Sequence, residues 1–386
     1  MRPSGDKKRG AAFRRHRPDA ATGGRYRGCL IGGAVGDALG APVEFMSRHE
    51  ILQCFGAKGI RDFVPAFGRI GAITDDTQMT LFTAEGLLRG YVRESLRGLC
   101  HPPSVIAYAY LRWLRTQGEH HALHERCLDG WLIEHEALHS LRAPGRTCLA
   151  ALRGLTTPGD EAHNNSKGCG GVMRVAPVGM LMATLAGPNF DRAPGSLTKT
   201  FDLGCQAAGI THGHPTGKLT SGLFAAIVMR VLQGARLRQA IDEAALLLRC
   251  RPSHEETLAA IESACKLADE RPAEASSIKA LGEGWVAEEA LAIGLYCALS
   301  ASDFKSGVLL AVNHDGDSDS TGSITGQLLG AMHGEASIPW AWRSALELRE
   351  VIEEVADDLA AFDKWCLDEP EHEEEGDYYF NKYPGA

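Results

Sequence analysis

The sequence predicts an all-α fold, a compact multi-helix domain with an acidic metal-binding cleft. Three observations carry that expectation. Stretches rich in Ala, Leu, Glu and Arg at 219–234, 237–249, 255–268, 286–300 and 345–363 place apolar residues three and four apart, the helical period. Strand-like signals are weak and brief, residues 59–64 being the strongest. Turn clusters at 157–160, 186–196 and 212–217 separate the helical stretches, yet none is long enough to divide two domains.

Taken in order, the chain opens on a basic segment. Arg2, Lys7, Lys8, Arg9, Arg14, Arg15, Arg17, Arg25 and Arg27 face only Asp6 and Asp19. It has no apolar stretch, so residues 1–24 are expected to be a disordered extension rather than a secretory leader. Gly28, Gly32, Gly36 and Gly40 then recur every fourth residue, as do Gly322, Gly326 and Gly330 near the other end. On a helix each set shares one face, which lets two backbones approach closely. The domain is expected over 25–370, with the acidic stretch from Asp368 to Asp377 as a solvated loop and 371–386 as a tail.

Composition narrows the function. Hydrophobic content of 44% and charged content of 23% are ordinary for a globular protein of 386 residues. A net charge of −9 argues against a general nucleic-acid binder. Eleven cysteines contain no Cys-x-x-Cys pair, which suits reduced thiols in the cytoplasm. No run of about 18 apolar residues is evident, so no membrane span is expected.

Two acidic clusters carry the chemistry. Thr74-Asp75-Asp76-Thr77 precedes the apolar pattern Met79, Phe82, Ala84, Leu87. Asp317-Ser318-Asp319-Ser320-Thr321 precedes Ile324, Leu328 and Met332. Each therefore opens a helix, where one Asp or Thr serves as a cap but four consecutive polar oxygens exceed the need. Burying them together requires cations, and carboxylate with hydroxyl oxygen suits Mg, Mn or Ca. Close packing of the two glycine faces would bring the clusters to one place. A loop at Asn164-Asn165-Ser166-Lys167-Gly168-Cys169-Gly170-Gly171 has the small residues needed to wrap a diphosphate, or else to make a tight turn. It lacks the Gly-Lys-Ser/Thr ending of a Walker loop.

Together these stretches resemble the ADP-ribosylglycohydrolase family. The matching segments are Gly32 to Gly40 with Glu44, Thr74 to Thr77, the loop 164–174, Thr211-His212, and Gly316 to Gly322, in the family's order. The resemblance implies an all-helical ADP-ribosylglycohydrolase-like fold with a dinuclear cleft holding two divalent cations, Mg or Mn. It implies Thr74, Asp75, Asp76, Asp317, Asp319 and Ser320 as metal ligands. Asn164, Asn165, Ser166, Lys167, Gly168, Cys169 and Gly170 would line the diphosphate site, and His212 would contact ADP-ribose. Glu44, Asp75 or Asp319 would accept the proton of the attacking water, the residues leaving that choice open. Lys167 and Cys169 stand where some relatives carry an aromatic residue.

The implied activity is removal of ADP-ribose from a modified protein, with arginine linkage favoured. An immunity role against an ADP-ribosylating toxin, docked by the basic extension, is a further expectation. Two rivals remain. A non-catalytic ADP-ribose binder could share the fold. His135-Glu136-Ala137-Leu138-His139 matches the zinc-peptidase spacing, which on a helix would set two imidazoles on one face. The stretch from His120 is histidine-rich throughout, and partly exposed helical histidines are the expectation there.

Overall fold

The computed structural model describes residues 15–187, 195–369 and 372–385. Among these, seventeen α-helices account for the architecture. They are α1 (Ala20–Gly40), α2 (Arg48–Phe55), α3 (Asp75–Arg97), α4 (Pro102–Thr116), α5 (Arg146–Arg153) and α6 (Ala176–Ala186). The middle of the chain supplies α7 (Ser196–Gly209), α8 (Pro215–Leu232), α9 (Leu237–Arg249), α10 (Glu255–Glu270), α11 (Ala275–Leu281) and α12 (Ala287–Ser300). The last are α13 (Phe304–Ala311), α14 (Ser318–His333), α15 (Trp340–Ala345), α16 (Arg349–Ala361) and α17 (Glu373–Lys382).

The central feature is the antiparallel pair α1 and α14. A methyl group at Gly28, Gly32 or Gly36 would overlap the carbonyl of Gly330, Gly326 or Gly322 on the opposite helix, so the two backbones touch along the whole seam. This is close approach that only glycine allows, at a propensity cost of about 1 kcal/mol each. Because the pair runs antiparallel, the last turn of α1 lies against the first turn of α14, with Gly40 over Ser318 and Asp319. Around this pair α12, α13 and α16 pack directly, while α3 joins α4 and α6 joins α7 and α8. Buried Leu, Ile, Val and Ala fill the gaps between these layers in one continuous core.

The structure departs from several expectations. Residues 59–64 form no strand: Ile60 gives its N–H to Asn313 Oδ1 at 2.8 Å and takes Asn313 Nδ2 on its carbonyl at 3.0 Å, so a side-chain amide does the work of a neighbouring strand. The helix expected over 345–363 is broken between α15 and α16, where Leu348 adopts φ 55°. Glu347 is the reason, since its buried carboxylate turns inward to Arg69 and Arg142 and accepts the Ile73 N–H. The 212–217 cluster ends early, because Pro215 already starts α8 with His214 as its cap.

Packing also extends past the expected bounds. Residues 1–14 lie outside the described residues, as does 188–194 of the expected turn. Residues 15–24, assigned to the extension, are placed: Asp19 caps α1, and Arg15 pairs with Glu354 and Asp358. The C-terminal stretch forms α17, with Tyr379 and Tyr383 stacked on Trp365. One apolar stretch passed over in the sequence, Cys169–Ala186, has the length and mean hydropathy (1.4) of a weak membrane span. It is 67% buried against the rest of the chain and runs from the glycine loop into α6, so it reads as a core helix.

Candidate metal centre and substrate cleft

Two helix N-termini converge on one cleft. Thr74 caps α3 by accepting the Asp76 N–H at 3.2 Å, which leaves Asp75 and Asp76 in the first turn. Asp317 caps α14 by accepting the Ser320 N–H at 3.3 Å, with Asp319 in its first turn. The α1–α14 seam sets the second cluster beside the end of α1, and Glu44 follows on the turn after α1. Asp37, on the last turn of α1, reaches back to hold the other cluster. It accepts the N–H groups of Thr74 (3.0 Å) and Thr77 (3.2 Å) and the Thr77 hydroxyl.

Six carboxylates are thus gathered in a buried place: Asp37, Glu44, Asp75, Asp76, Asp317 and Asp319. No lysine or arginine among the described residues forms an ion pair with any of them. Burial, followed by mutual repulsion, pushes Asp37 up to about 7 and Glu44 up to about 10, with Asp319 the foremost charge acting on both. Burial likewise raises Asp76, with Asp319 next, and raises Asp75, Asp317 and Asp319. Helix dipoles offset part of this cost, but typically only about 0.3–1 kcal/mol per charge. Asp76 Oδ1 is buried with no hydrogen-bond partner at all. Such an orphaned oxygen in an all-oxygen set fits hard divalent cations, which would satisfy it and neutralise the cluster.

The cleft encloses about 200 Å³, and Glu44, Asp75, Asp76, Asp317, Asp319 and Ser320 form its acidic wall. Gly168, Cys169, Gly170 and His212 continue the lining, with the Cys169 thiol donating to Asp317 Oδ2 at 2.8 Å. The glycine loop is zipped to the segment before α12: Cys169 N–H donates to the Trp285 carbonyl at 3.2 Å, and Ala287 N–H to the Lys167 carbonyl at 2.8 Å. A methyl at 170 would stand 2.9 Å from Cys148 Sγ and 3.1 Å from His212 Cε1, whereas one at 168 would only touch His212 Nε2 at 3.4 Å. Beneath the loop, Arg174 donates to Thr211 Oγ1 at 2.6 Å, and Thr211 Oγ1 lies 2.8 Å from His212 Nδ1. The same hydroxyl also lies 3.5 Å from the Ala208 carbonyl, so Arg174, Ala208 and His212 share it. Burial, then the Arg174 charge, pushes the imidazole down to about 3, so the ring is neutral.

The structure does not bring the whole predicted loop onto the cleft. Asn164 Oδ1 accepts the N–H groups of Ser166 and Gly213, both at 3.0 Å, which makes it a loop staple. Asn165 is exposed, and Ser166 faces Thr147. Lys167 turns away to Glu256 (2.5 Å) and Glu288. Thr74 is the cap of α3 and is not on the cleft surface, though its side chain meets Asp319 of the acidic wall. Conversely, Gly145, Arg146, Thr147 and Trp285 line the cleft without any sequence signal. Gly145 donates its N–H to Asp75 Oδ2 at 3.0 Å. Trp285 stacks on the exposed Phe45 (centroids 5.8 Å apart), and both border an adjoining cavity of about 1040 Å³. Asp37 was visible within the glycine repeat but its holding role was not.

The His135–His139 motif does not form a zinc site. Instead of the expected helix, two 3-10 turns, Leu132–Glu134 and Glu136–Leu138, meet at His135. His135 packs edge-on against Trp131, while His139 Nε2 turns to the Ile133 carbonyl at 2.7 Å. The two imidazoles therefore share no helical face.

Comparison with known proteins agrees with this geometry. The family model for ADP-ribosylglycohydrolase matches residues 18–368. The chain is 26% identical to the ADP-ribosyl-[dinitrogen reductase] glycohydrolase of Rhodospirillum rubrum, covering 84% of this chain and 91% of that protein. It is 26% identical to the ADP-ribosylarginine hydrolase Tri1 of Pseudomonas putida, covering 87% and 77%. A solved ADP-ribosylglycohydrolase-related protein complex superposes with a TM-score of 0.58 at 30% identity, covering 88% of this chain and 98% of that one.

Proposed function

The chain belongs to the ADP-ribosylglycohydrolase family, and from that premise we propose that it is a metal-dependent hydrolase that removes ADP-ribose from arginine side chains of modified proteins. The observation that carries the reading is the buried carboxylate cluster without a Lys or Arg partner among the described residues, with its orphaned Asp76 oxygen, beside the glycine loop. Thr74, Asp75, Asp76, Asp317, Asp319 and Ser320 would hold two Mg or Mn ions. When bound, such ions supply Lewis acidity toward the ribose hydroxyls and toward water.

The chain's own groups do the rest. Gly168 and Gly170 let a diphosphate approach the backbone, and His212 offers an uncharged imidazole beside it. Trp285 provides the aromatic face that the glycine loop lacks, suited to stacking on adenine or ribose. Breaking the glycosidic bond builds oxocarbenium character at the anomeric carbon, which the carboxylate wall stabilises. Among the three candidate bases, Asp75 and Asp319 accept backbone N–H groups from Gly145 and Ser320. Glu44 has no such partner and lies on a turn between the cleft and the adjoining cavity. It is therefore the carboxylate free to take the water's proton.

The test is release of free ADP-ribose from an arginine-ADP-ribosylated protein with Mg, with Mn and with EDTA. Metal-dependent release is expected. No release from that substrate, but release from a serine-linked one, would move the linkage. Binding without release from either would leave a non-catalytic ADP-ribose binder. Eleven unpaired cysteines favour a reducing, cytoplasmic setting. The basic residues 1–14 would suit docking to an ADP-ribosyltransferase toxin, and unchanged toxin binding after their deletion would remove that role.

A further inference from the structure

A second grouping of ligand-type side chains lies where the segment after α16 meets α17. Cys366, Glu369 and His372 each offer a donor atom, and these atoms lie within 4.8 Å of one another. They differ in kind from the cleft. A thiol and an imidazole beside one carboxylate suit zinc or cobalt rather than magnesium. A tetrahedral zinc holds such donors roughly 3.3–3.6 Å apart, so a contraction of about 1 Å closes the set.

An independent observation concerns His372. Its Nε2 lies 3.8 Å from Glu369 Oε2, while its Nδ1 lies 3.8 Å from Glu375 Oε2. Glu375 is buried, and its other oxygen accepts the Cys366 backbone N–H at 3.1 Å. Ligating histidines ordinarily give their second N–H to a carboxylate of this kind, which fixes ring and tautomer. At 3.8 Å, Glu375 lies just beyond hydrogen-bond reach of the ring nitrogen that does not face Glu369. It also lies 3.0 Å from His16 Nε2, so the start of the chain meets the same place.

The charge around the site also calls for a cation. Asp368, Glu369, Glu373, Glu374, Glu375 and Asp377 crowd one short stretch. No lysine or arginine among the described residues pairs with Glu369 or Glu375, whose ion-pair partners are histidines. The Cys366 thiol is pushed up by desolvation and then by Glu375, Glu369 and Asp368. Glu369, His372 and Glu375 lie beyond the family match, which ends at residue 368.

We propose that Cys366, Glu369 and His372 bind one zinc-class divalent cation, with Glu375 orienting His372 and a water completing the tetrahedron. Binding would release the thiol proton to solvent and clamp the segment after α16 onto the first turn of α17.

The test is cobalt(II) titration of the full chain with excess Mg present to fill the cleft, read by the thiolate-to-cobalt charge-transfer absorption. Wild type should take one cobalt with that band. Cys366→Ser should lose the band, and His372→Ala should weaken binding at least about tenfold. Glu375→Gln should weaken it about 10- to 100-fold while keeping the band. Cys169→Ser, which removes the thiol at the cleft, should leave the band intact. Circular dichroism and metal-free melting of each variant check that the fold is kept. Absence of the band in wild type, its survival in Cys366→Ser, or its loss in Cys169→Ser would overturn the proposal.

Discussion

Gly322→Ala tests whether the glycine seam is what assembles the acidic cleft. A methyl at 322 would stand 2.6 Å from the Gly36 carbonyl oxygen and 2.7 Å from Val312 Cγ1. The first contact is about 0.8 Å short of an ordinary one and involves backbone, so relief requires moving α1 away from α14. Overpacking of this kind costs about 3 kcal/mol at the upper end of its usual range. Helix propensity returns about 1 kcal/mol, leaving a net loss of about 2 kcal/mol. For a chain this long, that lowers the melting temperature by about 2.5 °C. Gly24→Ala is the internal control: it sits in the partner helix α1 with nothing within 4 Å of the added methyl. There propensity acts alone, and stability should rise by up to about 1 kcal/mol. Because Gly322 lies just after Asp319, the displacement also misplaces the acidic wall, and ADP-ribose release should fall about 10- to 100-fold. Scanning calorimetry and the release assay on both variants decide it. A Gly322→Ala protein as stable and as active as Gly24→Ala would refute the seam argument.

Four further outcomes follow from the site. Asp319→Asn should abolish turnover yet melt higher than wild type when both are metal-free, because Asp319 is the charge that most raises its neighbours, while Asn keeps the acceptor for the Ser320 N–H; a lower metal-free melting temperature would remove the repulsion reading. The pH dependence of the metal-free protein should run opposite to that of an ordinary salt-bridged domain. Asp37 is raised from 3.8 to about 7 in the folded chain, so the folded state binds the extra proton and stability falls as pH rises across that window, by up to about 1.4 kcal/mol per unit for each such group; melting curves with EDTA and with Mg should diverge as the pH increases. Trp285→Ala should raise KM roughly 5- to 100-fold if it stacks on the nucleotide, with kcat little changed in steady-state assays. Lys167→Ala should leave KM near wild type, since that ammonium is held by Glu256 and Glu288, and a large rise in KM would place it on the diphosphate after all.

The sequence by itself determined the helical class, the two acidic helix starts and the pairing of the glycine faces. Those features are local: a four-residue glycine period fixes one helix face, and an oxygen-rich run before an apolar stripe marks a helix N-terminus whatever surrounds it. Even the meeting of the two clusters was legible, since both glycine faces adjoin acidic residues. What only the tertiary structure decided involves partners distant in sequence. Ile60 takes its hydrogen bonds from Asn313 instead of a strand, and Glu347 leaves its helix for Arg69 and Arg142. Lys167 looks like a phosphate ligand beside three glycines until Glu256 and Glu288 claim it. Trp285 carries no motif, and reaches the cleft because the loop before α12 is zipped onto Cys169. Chain periodicity encodes which face a residue occupies, but not which remote group arrives to satisfy it, and in this cleft the arriving group sets each side chain's role.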